Sequence, residues 1–307
     1  MPGGPTLGAT ALGLLSAAAW GGGDFAGGMA VRRASPFVTV ALVHGLSLLM
    51  LLALLYWLGT PLPSARGKML GILCGLVAGL SVALFYEALS LGKMGLSAAI
   101  AGVLSAAIPV AFSFFTEGLP RPIQIVGFLL AGVAIWLVAS APGGGTHPRG
   151  LGLATLAGIG FGVYFILLKL AGREGVVWAL TFARIGSFAL AATVVAFQWA
   201  MRQRASVAAP ALPQLSGPPE PSNSKSGSLL APAFVGLVVA TCVLDTGGNW
   251  FYTLATRAGR LDVAAVLSSL YPAGTMLLAA WLLKERTTRV QTLGMVLALG
   301  AVILIAL

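Results

Sequence analysis

Six polar side chains stand inside stretches that are otherwise apolar: Asp24, His44, Glu87, Arg184, Asp245 and Asn249. A charge in the middle of a bilayer costs roughly 2.5–3.5 kcal/mol on insertion scales, so residues that accept this cost are the informative ones. An imidazole beside a carboxylate titrates close to neutral pH and suits a proton relay. A guanidinium beside a carboxylate either fixes helix register as an ion pair or binds a solute. Four aromatic residues, Trp20, Tyr86, Tyr164 and Trp250, have faces on which an organic solute can stack. The same residues equally suit an interfacial belt or plain packing. Pro109 and Pro272 each remove a helical hydrogen bond and are expected to kink the helices that hold them.

Helical rise gives these residues a depth. At 1.5 Å per residue, Asp24 lies about 10 Å from the end of the first apolar run, and His44 about 10 Å from the start of the second. Both depths are measured from one membrane face, and Glu87 is nearer that face. The expectation is an acid–imidazole cluster of Asp24, His44 and Glu87, with surface pairing of Glu87 to Lys93 as the alternative. Arg184 lies about 10 Å from the opposite face and Asp245 about 15 Å from it, so the two are candidates for an ion pair between the seventh and eighth helices. Asp24 follows Gly21-Gly22-Gly23, and Asp245 precedes Gly247-Gly248. Such clusters fit either local unwinding beside a cavity or close packing of small residues.

The elements that must position these groups are membrane spans. Of 307 residues, 58% are hydrophobic and only 8% charged, too few charges to cover a water-soluble fold of this size. Mean hydropathy is +0.96. Ten apolar segments are readable, at 7–29, 37–58, 69–89, 97–115, 123–140, 151–170, 177–201, 229–254, 263–283 and 290–307. They are too long for membrane strands and lack a period of two. The stretch Ala141-Pro142-Gly143-Gly144-Gly145 is the best internal boundary, and 203–228, rich in Pro, Ser and Ala, reads as a flexible loop.

The chain repeats itself. Phe85-Tyr86 recurs as Phe251-Tyr252, Ile123-Gln124-Ile125-Val126-Gly127 as Val290-Gln291-Thr292-Leu293-Gly294, and Cys74 has its counterpart in Cys242, all at an offset of about 167 residues. Residues 1–145 and 146–307 then hold five spans each. Five is odd, so the second half must enter the membrane with opposite polarity. The expected fold is an all-α integral membrane protein, ten transmembrane helices as two inverted five-helix repeats, with its site at the interface between the halves.

Trp20-Gly21, Tyr271-Pro272, Lys284-Glu285-Arg286 and the closing stretch from Leu293 to Val302 resemble the drug/metabolite transporter superfamily, specifically its EamA-type members. The resemblance covers nearly the whole chain. It implies ten helices, export or exchange of small organic solutes and a central cavity lined by both halves; the expected location is a bacterial cytoplasmic membrane. The first half departs from the pattern: Pro109 stands closer to Glu117 than Pro272 does to Glu285, and Gly118 replaces an Arg. The resemblance assigns Asp24 no role and places both termini in the cytoplasm. The distribution of Lys and Arg between loops leans toward the opposite orientation.

Other function classes find little support. The net charge of +10 is scattered between apolar runs with no basic helix face, which argues against nucleic acid as a partner. No Walker A loop, GxSxG or HExxH is present, and the second histidine, His147, lies in a loop, so neither an ATP-driven pump nor an intramembrane enzyme is expected. Cys74 and Cys242 sit in apolar runs and read as buried packing, with no metal spacing and no cofactor implied. The expectation is a secondary transporter that exports small organic metabolites by alternating access, with the solute, membrane lipid and a coupling proton as partners. A non-transporting scaffold or receptor, and a lipid flippase, are the alternatives.

Overall fold

A backbone without water must bond to itself, so apolar runs that enter lipid fold as helices. The structure, a computed structural model, describes residues 7–91, 94–139, 148–208, 231–282 and 288–307. Among them the chain forms eleven α-helices and no strand: α1 (Leu7–Ala30), α2 (Pro36–Leu58), α3 (Ala65–Leu91), α4 (Met94–Thr116), α5 (Pro122–Ala139), α6 (Pro148–Gly172), α7 (Val176–Ala208), α8 (Pro232–Ala258), α9 (Leu261–Ser268), α10 (Tyr271–Leu282) and α11 (Arg289–Ala306).

Local sequence signals set the ends of α2. The Ser35 hydroxyl accepts the Val38 N–H at 3.3 Å, and Pro36 follows at the start, where its missing N–H costs nothing. Gly59 ends the helix in the left-handed conformation, φ 57°, which side chains disfavour, and donates its N–H to Leu55.

Among the described residues, five helical segments are long and apolar enough to cross a bilayer by themselves: Pro36–Leu58, Ala65–Ala88, Pro148–Gly172, Val176–Arg204 and Pro232–Ala258. Shorter apolar helices cover Ile100–Thr116, Pro122–Leu137 and Thr292–Ile305. The molecule is inside out relative to a soluble protein. Leu49, Leu129, Val296 and Leu299 are exposed, while Ser16, Ser47, Ser105, Ser113 and Thr253 are wholly buried. Lipid accepts the first set, and hydrogen bonds within the bundle satisfy the second.

Three expectations are corrected here. The ninth apolar segment is not one helix: α9 stops at Ser268 and α10 starts at Tyr271. Pro272 therefore stands in the first turn of a new helix rather than at a kink inside a continuous one. Pro109, by contrast, lies inside α4. Residues 203–208 of the expected loop belong instead to α7, which runs on to Ala208, and residues 209–228 lie outside the described part. Neither glycine cluster unwinds, since α1 and α8 are continuous through Asp24 and Asp245.

The glycines serve close packing instead. A Cβ on Gly21 would come within 2.8 Å of the Tyr271 carbonyl oxygen, and one on Gly23 within 3.4 Å of the Asp245 nitrogen. The α3–α7 crossing is tighter still: a Cβ on Gly75 would overlap Ala183 O at 1.9 Å, and one on Gly186 would meet Ile72 O at 2.3 Å. Small residues let backbones approach where dispersion and polar contacts, rather than water exclusion, hold helices together.

The packing pairs helices across the two halves. α1 lies along α8 as α3 lies along α6; α4 packs on α6 as α1 packs on α9 and α10; and α5 packs against α11. The Gln124 side chain of α5 donates to Ile305 O, and Arg121 donates to Leu307 O.

Candidate solute-binding cavity

Between the halves lies a cavity. Trp20 and Asp24 of α1, His44 of α2, Arg184 of α7, and Asp245 and Asn249 of α8 bring its polar groups together. Aromatic wall comes from Phe161, Tyr164 and Phe165 of α6 and from Tyr271 at the start of α10. A second, smaller space shares Trp20, Asp24, His44 and Asp245 and adds Val40, Tyr86 and Thr241. Val40 lies near the start of α2 and Tyr86 near the end of α3, so this lobe leads toward the end of the bundle where those termini meet.

The charged centre is built around Asp245. One Arg184 Nη donates to its Oδ2 at 2.5 Å, as the spacing of the seventh and eighth helices suggested. His44 Nε2 lies 3.7 Å from the same oxygen. Asn249, one turn along α8, donates to the Asp245 carbonyl at 2.6 Å and to Oδ1 at 3.2 Å, and accepts a short hydrogen bond from the Tyr164 hydroxyl. Arg184 and His44 are each 3% exposed. A buried pair of this kind holds only while both members remain, because removing one strands the other in a medium that cannot solvate it.

The expected cluster of Asp24, His44 and Glu87 forms only in part. Asp24 and His44 line the same space, but the carboxylate beside the imidazole belongs to Asp245. Glu87 points away and lies 3.7 Å from Arg149 at the rim, both side chains substantially exposed. Lys93, its expected partner, lies outside the described residues. Asp24 has no hydrogen-bond or ion-pair partner among the described residues, although it lines both lobes.

The aromatic residues divide. Trp20 stacks on Phe165 at 5.1 Å and 6°, and Phe165 on Tyr252 at 4.6 Å and 28°. Tyr164 faces the main space and Tyr86 the smaller lobe, its hydroxyl lying against Gly27. Trp250 packs against the core cluster beside the cavity and does not line it. Pro109 and Pro272 stand behind the wall: Ser105, one turn before Pro109, lines the cavity, and a Cβ on its neighbour Gly102 would touch Pro272 at 3.3 Å.

A second ionic cluster lies at the end of the bundle where α4, α6 and α8 finish. Lys169 of α6 pairs closely with Glu117, just past the end of α4. Glu117 also accepts from Leu261 N at 2.9 Å and Ser113 Oγ at 3.1 Å. Arg260 grips Asp262 with Nε and Nη2 and donates to the carbonyls of Glu117 and Gly118. Asp262 is fully buried. None of these residues was singled out as a site residue from sequence. Each stands near a helix end, where a charge reads as an interfacial residue. Phe161, Phe165 and Ser105 were missed because an apolar or small residue in a span carries no signal of which way it faces.

A model of the EamA-like transporter family matches residues 7–140 and again residues 148–307. No curated protein matches the chain. Among solved structures, a crystal structure of a protein shares 19% identity over 96% of this chain and 95% of its own, with a TM-score of 0.69. At that identity the likeness concerns the fold alone.

Proposed function

From membership of the EamA-like transporter family, within the drug/metabolite transporter superfamily, we propose that this chain is a secondary transporter that exports small organic metabolites across the cytoplasmic membrane. It works by alternating access between two inverted five-helix repeats, with ten crossings in all and α9 and α10 together making the ninth.

The observation that carries this reading is the cavity itself. It lies between the halves, is walled by aromatic rings, and holds Arg184, Asp245, His44 and Asp24 away from lipid. The reciprocal packing of α1 on α8 and α3 on α6 supports the inverted repeat, because a two-fold axis in the membrane plane exchanges those pairs. The ionic cluster of Glu117, Lys169, Arg260 and Asp262 acts as the closed gate at one end, while the smaller lobe leads toward the other. Opening the first and closing the second exposes the cavity alternately.

A proton is the coupling ion in this reading. Asp24 is the acceptor, and the groups around it are His44 on α2, Tyr86 on α3, Arg184 on α7, Asp245 on α8 and Tyr271 on α10. No step of this scheme draws on a cofactor.

The deciding experiment is flux in sealed proteoliposomes containing only the purified protein. Efflux of metabolites from loaded vesicles above protein-free controls, enhanced by an imposed pH gradient, is expected. Vesicles that stay tight to every metabolite of a broad mixture would leave a receptor or scaffold as the better description.

A further inference from the structure

Arg184 and Asp245 cancel each other across 2.5 Å, which leaves Asp24 as the one acid of the cavity without a counter-charge among the described residues. The cavity as it stands therefore lacks one positive charge. A bilayer interior magnifies such an imbalance, because no water screens it.

Three further polar atoms of residues that line the cavity have no partner among the described residues: the hydroxyl of Tyr271, Nδ1 of His44 and Nε of Arg184. All three side chains are almost fully buried, at 5%, 3% and 3% exposure. His44 Nε2 lies 3.7 Å from the Asp245 carboxylate, and the tautomer that carries its proton on Nε2 leaves Nδ1 as an acceptor. Tyr271 oxygen accepts as well. A carboxylate and two neutral acceptors around one space match the three N–H donors of a primary ammonium.

The remainder of the wall is aromatic. Trp20 and Phe165 stand as a parallel stack, with Phe161 and Tyr164 beside them. Ring faces attract cations and accept flat apolar bodies. An anionic solute finds no comparable site. Arg184 keeps an unpartnered Nε–H, but it is 3% exposed and one Nη is held by Asp245, so its charge is already matched and a substrate carboxylate competes with Asp245 for it.

Resting on the transport reading above, we propose that the solute is an organic monocation, an ammonium group on a flat apolar body, with Asp24 as its counter-ion. The ammonium sits between Asp24, Tyr271 and His44, and the apolar body lies along the rings of α1 and α6. The pair Arg184–Asp245 keeps its geometry throughout and contributes no net charge.

Three probes that share one aromatic body separate the possibilities: phenethylamine, which is cationic at neutral pH; phenylalanine, which is zwitterionic; and phenylacetate, which is anionic. Equilibrium dialysis against the purified full chain in detergent measures their binding. Phenethylammonium is expected to bind at least about tenfold more tightly than either of the others. Asp24→Asn is expected to abolish that preference, and Asp24→Glu to keep most of it. Equal or tighter binding of phenylalanine or phenylacetate overturns the proposal, as does the absence of phenethylammonium binding, or its survival in Asp24→Asn. Should Asp24→Asn fail to give folded protein, the charge series on the unaltered chain decides alone. Flux in sealed vesicles keeps this inference apart from the transport reading. Phenethylammonium bound but never carried removes transport and leaves the cation site. Phenylacetate or phenylalanine carried in its place removes the cation site and leaves transport.

Discussion

The hydroxyls of Ser105 and Ser269 meet 3.1 Å apart although 164 residues separate them. Ser105 lies one turn before Pro109 in α4, and Ser269 three residues before Pro272, between α9 and α10. The two prolines inflict the same lesion, a missing N–H that leaves the carbonyl four residues earlier without its helical donor. For Pro109 that carbonyl belongs to Ser105, and α4 continues through. For Pro272 it belongs to Ser268, where α9 ends. The weakened turns of both helices face each other beside the cavity, one within an unbroken helix and the other at a break. Elements of this kind are where a rocking motion between halves finds its pivot.

Loss of either acid of the cavity is expected to stop transport without preventing insertion. Asp24→Asn and Asp245→Asn each keep side-chain volume and remove charge. Proteoliposome flux at background, with normal yield and a single peak on size exclusion, is the expected pattern. Unaltered rates in both variants would remove the charged site from the mechanism.

The Arg184–Asp245 pair should behave as a unit. Arg184→Ala leaves a carboxylate in the bundle with only His44 and the Asn249 amide beside it, and breaking a buried pair in this way typically costs about 3–5 kcal/mol. Removing both members costs less than removing Arg184 alone. Thermal unfolding in detergent is the measurement: the double variant Arg184→Ala/Asp245→Ala is expected to melt above the single one.

Gly75 tests whether α3 and α7 need their close approach. Even Gly75→Ala places a methyl group 1.9 Å from the Ala183 carbonyl oxygen, which is backbone and cannot swing aside. Overpacking of this kind costs about 1–3 kcal/mol or more. A lower melting temperature and reduced yield are expected, against near-normal values for Gly152→Ala, whose site is open.

Breaking the closed end should change access more than stability. Glu117→Gln weakens the pairing to Lys169 while keeping volume, and loosens the contact that α4 makes with the start of α9. A cysteine placed at Ser105, in a background without Cys74 and Cys242, is expected to react faster with a membrane-impermeant thiol reagent added from that end. No change in rate would mean the cluster is not a gate.

Acid sensitivity is expected at one loop. Ser64, ahead of α3, donates its backbone N–H and its hydroxyl to Glu174, each at 2.7 Å. These bonds, helped by Arg66, hold the Glu174 carboxyl below its usual range. A depressed value means that the stabilising effect is fully present above the unfolded pKa, about 4.3 for Glu. It is lost as pH falls through the lower folded value. Glu174→Gln should therefore narrow the difference in melting temperature between neutral and acidic buffer, by a small amount because the group is exposed.

The sequence by itself determined the class of molecule. Lipid allows few backbone solutions, so apolar runs of span length announce helices. A recurrence at about 167 residues is a property of the string that needs no coordinates. It also marked Arg184, Asp245, Asp24 and His44, because charge inside an apolar run stands out one residue at a time. The partner of each was another matter. Depth along a helix follows from rise, but the direction a side chain faces follows from how the helix is rotated against its neighbours. That rotation is fixed by close approaches such as Gly75 on Ala183 and Gly23 on Asp245. Hence His44 went to Asp245 rather than to Glu87, Glu87 turned out toward Arg149, and Asp24 was left facing the cavity alone. Only the tertiary structure decided these, because contacts between distant helices depend on shape complementarity, which no single stretch of sequence contains.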